Sequence, residues 1–208
     1  MSSKSNSQTQ SEPDRSWMKP EQIEKMRTAS VNNSASYLAS RNDLIIGLLA
    51  DTALRVGELV QLRVDMFDAD DGVLRIPTSI QKQYPNGKSP EPATIDLQDD
   101  TVRAISMYLN NRWKESDYLF PSRQSDQMTT ESVRNVIEDA AEAAEIEPYI
   151  GHAGRGNPDD VTPHTLRHSL AYRLLEREDG NTLYDVSRRL RHSSIQTTER
   201  IYSHFDRI

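Results

Sequence analysis

The chain has 208 residues, no cysteine and a formal net charge of −7 at pH 7. That length suits one domain with a real core, and the lack of cysteine excludes disulfides, thiolate nucleophiles and Cys-ligated zinc. No apolar run is long enough to cross a membrane and no signal-peptide pattern opens the chain, so a cytoplasmic protein is expected.

An acidic balance taken alone argues against a nucleic-acid partner. Two features weigh the other way. Only 6 of the 25 basic residues are Lys, and Arg is the better residue for bidentate phosphate contact. Residues 161–208 also hold eight Arg against six acids. A locally basic face on an acidic body is therefore expected.

Residues 1–16 are rich in Ser, Gln and Asn and carry almost no apolar side chain. They are expected to be disordered, with order starting near Trp17. Pro20 suits the first turn of a helix running to about Arg27. Leu44, Ile45, Leu48 and Leu49 predict a buried helical face over 41–53, and Leu59 and Leu62 a second short helix after Arg55. The period then changes. Val73, Leu74, Ile76 and Ile80 predict a strand, Tyr84-Pro85-Asn86-Gly87 a turn, and Ala93, Ile95 and Leu97 a returning strand. Helices are predicted over about 99–113, 129–145, 164–177, 182–190 and 194–203, with a polar loop from Gly151 to Asp160. The expected fold is mainly α with a small antiparallel β-sheet.

Three segments carry candidate chemistry. In Thr52-Ala53-Leu54-Arg55-Val56-Gly57-Glu58-Leu59, an Arg lies between two apolar helices; read alone, it is a surface Arg at a helix end. In His164-Thr165-Leu166-Arg167-His168, which follows Thr162-Pro163, His164 and Arg167 share one face of a first helical turn. Free backbone N–H groups and the positive end of the helix dipole lie there, a natural anion site; a capped helix with a packed His explains the segment equally well. In the run from Leu190-Arg191-His192 to Tyr202-Ser203-His204, a His ends one helix and a Tyr lies on the next. A single Tyr on a terminal helix is ordinarily a core residue.

Together these segments resemble the tyrosine recombinases, or phage integrases. That family has an Arg in a Leu-Arg-x-x-Glu-Leu context, a hairpin Lys, a His-x-Leu-Arg-His box, a Leu-Gly-His box and a Tyr soon after. The motifs match in order across residues 52–204. The resemblance implies a catalytic domain over residues 17–208. In it Arg55 and Arg167 would grip the scissile phosphate, and His164 would take the Tyr202 proton or bond the phosphate. His192 would donate to a phosphate oxygen, Lys82 would protonate the leaving 5′ oxygen, and Tyr202 would attack phosphorus. Lys88 is the other hairpin lysine. Glu58 would orient Arg55 or be a solvated helix acid, and His168 and His204 would be structural.

The residue types suit the task. A free Tyr has a pKa of about 10, so roughly one in a thousand is ionised at pH 7, and nearby cations offset the cost of the phenolate. A general acid for the 5′-alkoxide is worth about 10²–10⁴ in rate. Arg and Lys neutralise the charge, so no metal and no nucleotide cofactor is expected. The implied partner is double-stranded DNA, with a monomer when free and a homo-tetramer on paired recombination sites. Two departures stand out: Arg191 replaces the glycine of the Leu-Gly-His box, where it could touch DNA backbone, and the interval from His192 to Tyr202 is ten where nine is common. The helical core-binding domain that most members carry ahead of this one has no counterpart in residues 1–16. Two other functions fit the same sequence, a type IB topoisomerase and a non-catalytic DNA-binding relic of a mobile element.

Overall fold

The computed structural model describes residues 16–83, 87, 89–151, 154–192 and 194–202. Among them are eight α-helices and two three-stranded antiparallel sheets. None of these helices is long and apolar enough to cross a membrane.

The central element is α2 (Ser36–Thr52), whose Leu44, Ile45, Ile46, Leu48 and Leu49 are all buried. It packs against α1 (Pro20–Asn33), α4 (Asp99–Asn111) and α6 (Pro163–Glu176). The first two predicted helices are longer in the structure than expected, because packing of α1 on α2 and α5 (Thr130–Ala143) extends them through polar residues that show no apolar period. α2 ends at Ala53, which adopts a left-handed backbone with φ +52° and ψ +33° and donates its N–H to the Leu49 carbonyl. A non-glycine residue there is strained by about 1–2 kcal/mol. Arg55 then caps the single turn α3 (Val56–Leu59), with its N–H on Glu58 Oε2 at 2.8 Å.

The predicted hairpin is part of a sheet ordered β2 (Phe67–Asp68), β3 (Val73–Ile76), β4 (Ala93–Asp96), with Leu74 opposite Ile95. The first strand stops earlier than expected. Pro77 has no N–H to continue the ladder, and Thr78–Ile80 forms a 3₁₀ turn. Gln81 Nε2 ties the base of the following loop by donating to the carbonyls of Ile76 at 3.1 Å and Glu91 at 2.8 Å. Lys82 therefore follows that turn, exposed, rather than ending a strand. The predicted turn at 84–86 and Lys88 lie outside the described residues.

The second sheet, ordered β1 (Ser16–Trp17), β5 (Tyr149–Ile150), β6 (Gly154–Arg155), was not expected from the sequence. Strands of two residues are too short to show alternation. Ser16, placed by composition in the disordered segment, is buried and shares a 2.7 Å hydrogen bond with Thr165 Oγ1. Trp17 lies between the rings of Tyr149 and Tyr172, with centroids 4.4 and 4.0 Å away. This sheet clamps the start of α6.

The chain finishes with α7 (Leu183–Arg189) and α8 (Ile195–Tyr202). Both pack on α6 through a small apolar cluster: Trp17, Ala53, Leu170, Ala171, Val186, Leu190 and Tyr202.

Candidate active site

Thr162 caps α6, its hydroxyl accepting the Thr165 N–H at 3.3 Å, and Pro163 opens the helix where no N–H is needed. His164 and Arg167 lie on the first turn, but their side chains part company. His164 is exposed, whereas Arg167 is only 4% exposed.

The Arg167 guanidinium joins the C-terminal ends of two helices. Nη1 donates to the Ala53 carbonyl beyond α2, and Nη2 to the Leu190 carbonyl beyond α7. Those ends carry unpaired carbonyls and partial negative charge, which suit a cation. Burial above all, with Arg55 and Arg191 nearby, pulls its pKa down to about 9. It is still charged at neutral pH.

Arg55 sits beside it. Glu58 is buried and accepts from both the Arg55 N–H and Nη1, the latter at 3.1 Å. Glu58 is therefore an orienting group rather than a solvated acid. Arg55 Nη2 also reaches the Arg191 carbonyl at 3.4 Å. Leu190 and Arg191 thus offer consecutive carbonyls to Arg167 and Arg55. Arg191 takes the left-handed backbone, φ +52°, and turns its guanidinium inward onto Glu58 rather than outward toward DNA backbone.

His192 is half-buried, with Nδ1 2.7 Å from Thr198 Oγ1. Burial first, then Arg167, Arg55 and His168, depress its pKa to about 3, so the ring is neutral at pH 7. Where Nδ1 accepts the Thr198 hydroxyl, Nε2 carries the proton and can donate.

Tyr202 is 1% exposed. Its hydroxyl lies 2.6 Å from His168 Nδ1, and its ring is parallel to that of His192, with centroids 6.3 Å apart. Burial pushes the phenol pKa up, and Arg167 pulls against that rise. His168, expected to be structural, is the histidine that meets the Tyr202 hydroxyl. Its position one turn beyond His164 on α6 was a signal, but which of the two histidines meets the Tyr depends on how α8 packs.

An open cleft of about 420 Å³ adjoins this cluster. Arg55, Lys82, His164, Thr162 and Pro163 line it; Arg167, His192 and Tyr202 do not. Among the described residues no group of three or more His, Cys, Asp or Glu side chains could hold a metal ion. His204 lies outside the described residues.

Comparison with known proteins bears on the family and the fold. Residues 16–207 match the model of the phage integrase family. Tyrosine recombinase XerD of Pseudomonas putida is 33% identical over 169 residues, covering 80% of this chain and 50% of that protein. Tyrosine recombinase XerA of Thermococcus kodakarensis is 30% identical over 162 residues, covering 76% of this chain and 49% of that protein. The chain thus spans about half the length of the curated relatives it matches. Among solved structures, a XerA recombinase superposes with a TM-score of 0.69 at 24% identity, over 90% of this chain and 58% of that one. XerH site-specific recombinase, bound to its difH substrate before cleavage, superposes with a TM-score of 0.65 at 22% identity, over 92% of this chain and 51% of that one. The fold, the ordered motifs and the family match together make this chain a tyrosine recombinase catalytic domain, a member of the phage integrase family.

Proposed function

We propose that this domain is the catalytic part of a site-specific recombinase. It cleaves and rejoins double-stranded DNA through a 3′-phosphotyrosine on Tyr202, without metal or nucleotide cofactor. The observation that carries the reading is the meeting of Arg55 with Arg167, His192 and Tyr202 in one cluster, although Arg55 lies more than a hundred positions before the other three.

The scissile phosphate enters the cleft against Arg55, with Arg167 behind it in the cluster, and the two charges oppose the negative charge that grows on its non-bridging oxygens. Removing one such donor typically costs about 10²–10³ in rate. His192, neutral, donates from Nε2 to a phosphate oxygen. Tyr202 Oη attacks phosphorus, its proton passing to a histidine of α6, and the bond to the 5′ oxygen breaks. Lys82, exposed at the rim of the cleft, protonates that oxygen. A 5′-hydroxyl from the partner strand then reverses the step. Tyr202 is buried, so its hydroxyl must be uncovered to the phosphate before attack.

The free protein is a monomer and forms a tetramer on paired sites. A duplex nicked next to the cleavage position tests the chemistry. The wild type should form a covalent protein–DNA adduct and Tyr202→Phe should bind without forming one. Retention of DNA without an adduct in the wild type would instead favour a binding protein.

A further inference from the structure

Arg191 occupies the position where the family's Leu-Gly-His box carries glycine, and it keeps the left-handed backbone, φ +52°, that glycine serves there. A long charged side chain in that conformation would ordinarily run to solvent. Here only 10% of the side chain is exposed, and the guanidinium lies on the buried carboxylate of Glu58. That same carboxylate holds Arg55 through its backbone N–H and Nη1, and the Arg191 carbonyl receives Arg55 Nη2. Arg55 and Glu58 alone would form a neutral pair, with the carboxylate competing against the phosphate for the guanidinium. A second cation on Glu58 leaves the trio with a net positive charge beside the cleft.

We propose that Arg191 is a positioning residue for Arg55: by sharing Glu58 it keeps Arg55 oriented without letting the carboxylate cancel its charge. The catalytic consequence rests on the phosphotyrosine reading, whereas the positioning is a property of the free protein.

Arg191→Gly removes the guanidinium and retains a residue that accepts the left-handed backbone, so the carbonyls offered to Arg55 and Arg167 stay in place. The first measurement is the Arg55 Nη–H signal by NMR, the group that meets Glu58 and the Arg191 carbonyl, assigned by its loss in Arg55→Lys. It should be sharp and protected in the wild type and exchange with solvent about ten times faster in Arg191→Gly, measured well below the melting temperature of both proteins. The second is cleavage of the nicked duplex. The rate at saturating DNA should fall about 10-fold to 100-fold, with DNA affinity unchanged, and Arg191→Lys should recover most of it. In a Glu58→Gln background, Arg191→Gly should have no further effect.

An unchanged Arg55 signal in Arg191→Gly overturns the proposal whether or not the protein cleaves DNA. So does weaker DNA binding with a shallower salt dependence, which would make Arg191 a phosphate contact. A loss of folding in Arg191→Gly that Arg191→Lys repairs without restoring Arg55 protection also overturns it. If the wild type forms no adduct, the functional reading falls while the NMR measurement still decides the positioning.

Discussion

The open cleft and the buried cluster behind it use the same residue types under opposite conditions. In the cleft, Lys82 and His164 are exposed, and Arg55 is partly so. In the cluster, Arg167 and Tyr202 are almost wholly enclosed and His192 is half-buried. Solvent exposure screens the electrostatics of the first group. Enclosure binds the second group into the fold: Arg167 closes two helix ends, and Tyr202 is a core residue of the small apolar cluster. The difference teaches that substitutions in the cleft should read out as rate alone, whereas those in the cluster should couple rate to stability.

The largest expected effect is at Tyr202. Tyr202→Phe removes one hydroxyl from the cluster, so adduct formation should vanish while stability changes by about 1 kcal/mol, the value of its hydrogen bond to His168. If the Phe variant still traps DNA on a denaturing gel, Tyr202 is not the nucleophile.

Lys82 sharpens the comparison from the cleft side. Lys82→Ala should slow cleavage of a normal phosphodiester by about 10²–10⁴, at unchanged melting temperature. A 5′-thiolate leaves without a general acid, so a 5′-phosphorothiolate substrate should restore the rate. Rescue seen with Lys88→Ala and not with Lys82→Ala would move the role to Lys88.

The two arginines test the coupling directly. Arg55→Ala and Arg167→Ala should each lose about 10²–10³ in cleavage rate. Arg167→Ala should in addition strand the Ala53 and Leu190 carbonyls, at about 1–3 kcal/mol each. At roughly 2–4 °C per kcal/mol, its melting temperature should fall well below that of Arg55→Ala. Equal melting temperatures for the two variants would break the distinction between cleft and cluster.

The smallest effect is a pH dependence of stability. His192 has a folded-state pKa near 3, set chiefly by burial, against about 6.5 when unfolded. Its neutral form is therefore favoured in the folded protein. That contribution is fully present above pH 6.5 and is lost as pH falls toward 3, because only the unfolded chain takes up the proton. The wild type should lose a few kcal/mol more stability than His192→Gln between pH 7 and pH 4. Parallel unfolding curves for the two proteins would show that His192 is better solvated than its packing against Thr198 and Tyr202 implies.

Much of this architecture follows from local pattern. The face of α4 that buries Ile105 and Tyr108 and the Thr129 cap of α5 can be read along a few turns, because period and capping depend on neighbours in sequence. The same holds for the pairing of β3 with β4, and the motif boxes name Arg55, His164, Arg167, His192 and Tyr202 in order. Other features join residues far apart, and no periodicity encodes them. Examples are the β1–β5–β6 sheet, the inward turn of Arg191 onto Glu58, and the choice of His168 rather than His164 as the partner of Tyr202. Which carbonyl a guanidinium meets, and whether a phenol is enclosed or open to DNA, depends on how α2, α6, α7 and α8 converge. Burial in turn decides the direction in which each side chain's proton affinity moves. The sequence by itself determined which chemical groups are present and in what order along the chain. Only the tertiary structure decided which of them touch and which meet solvent, because desolvation and contact are properties of the packed interior.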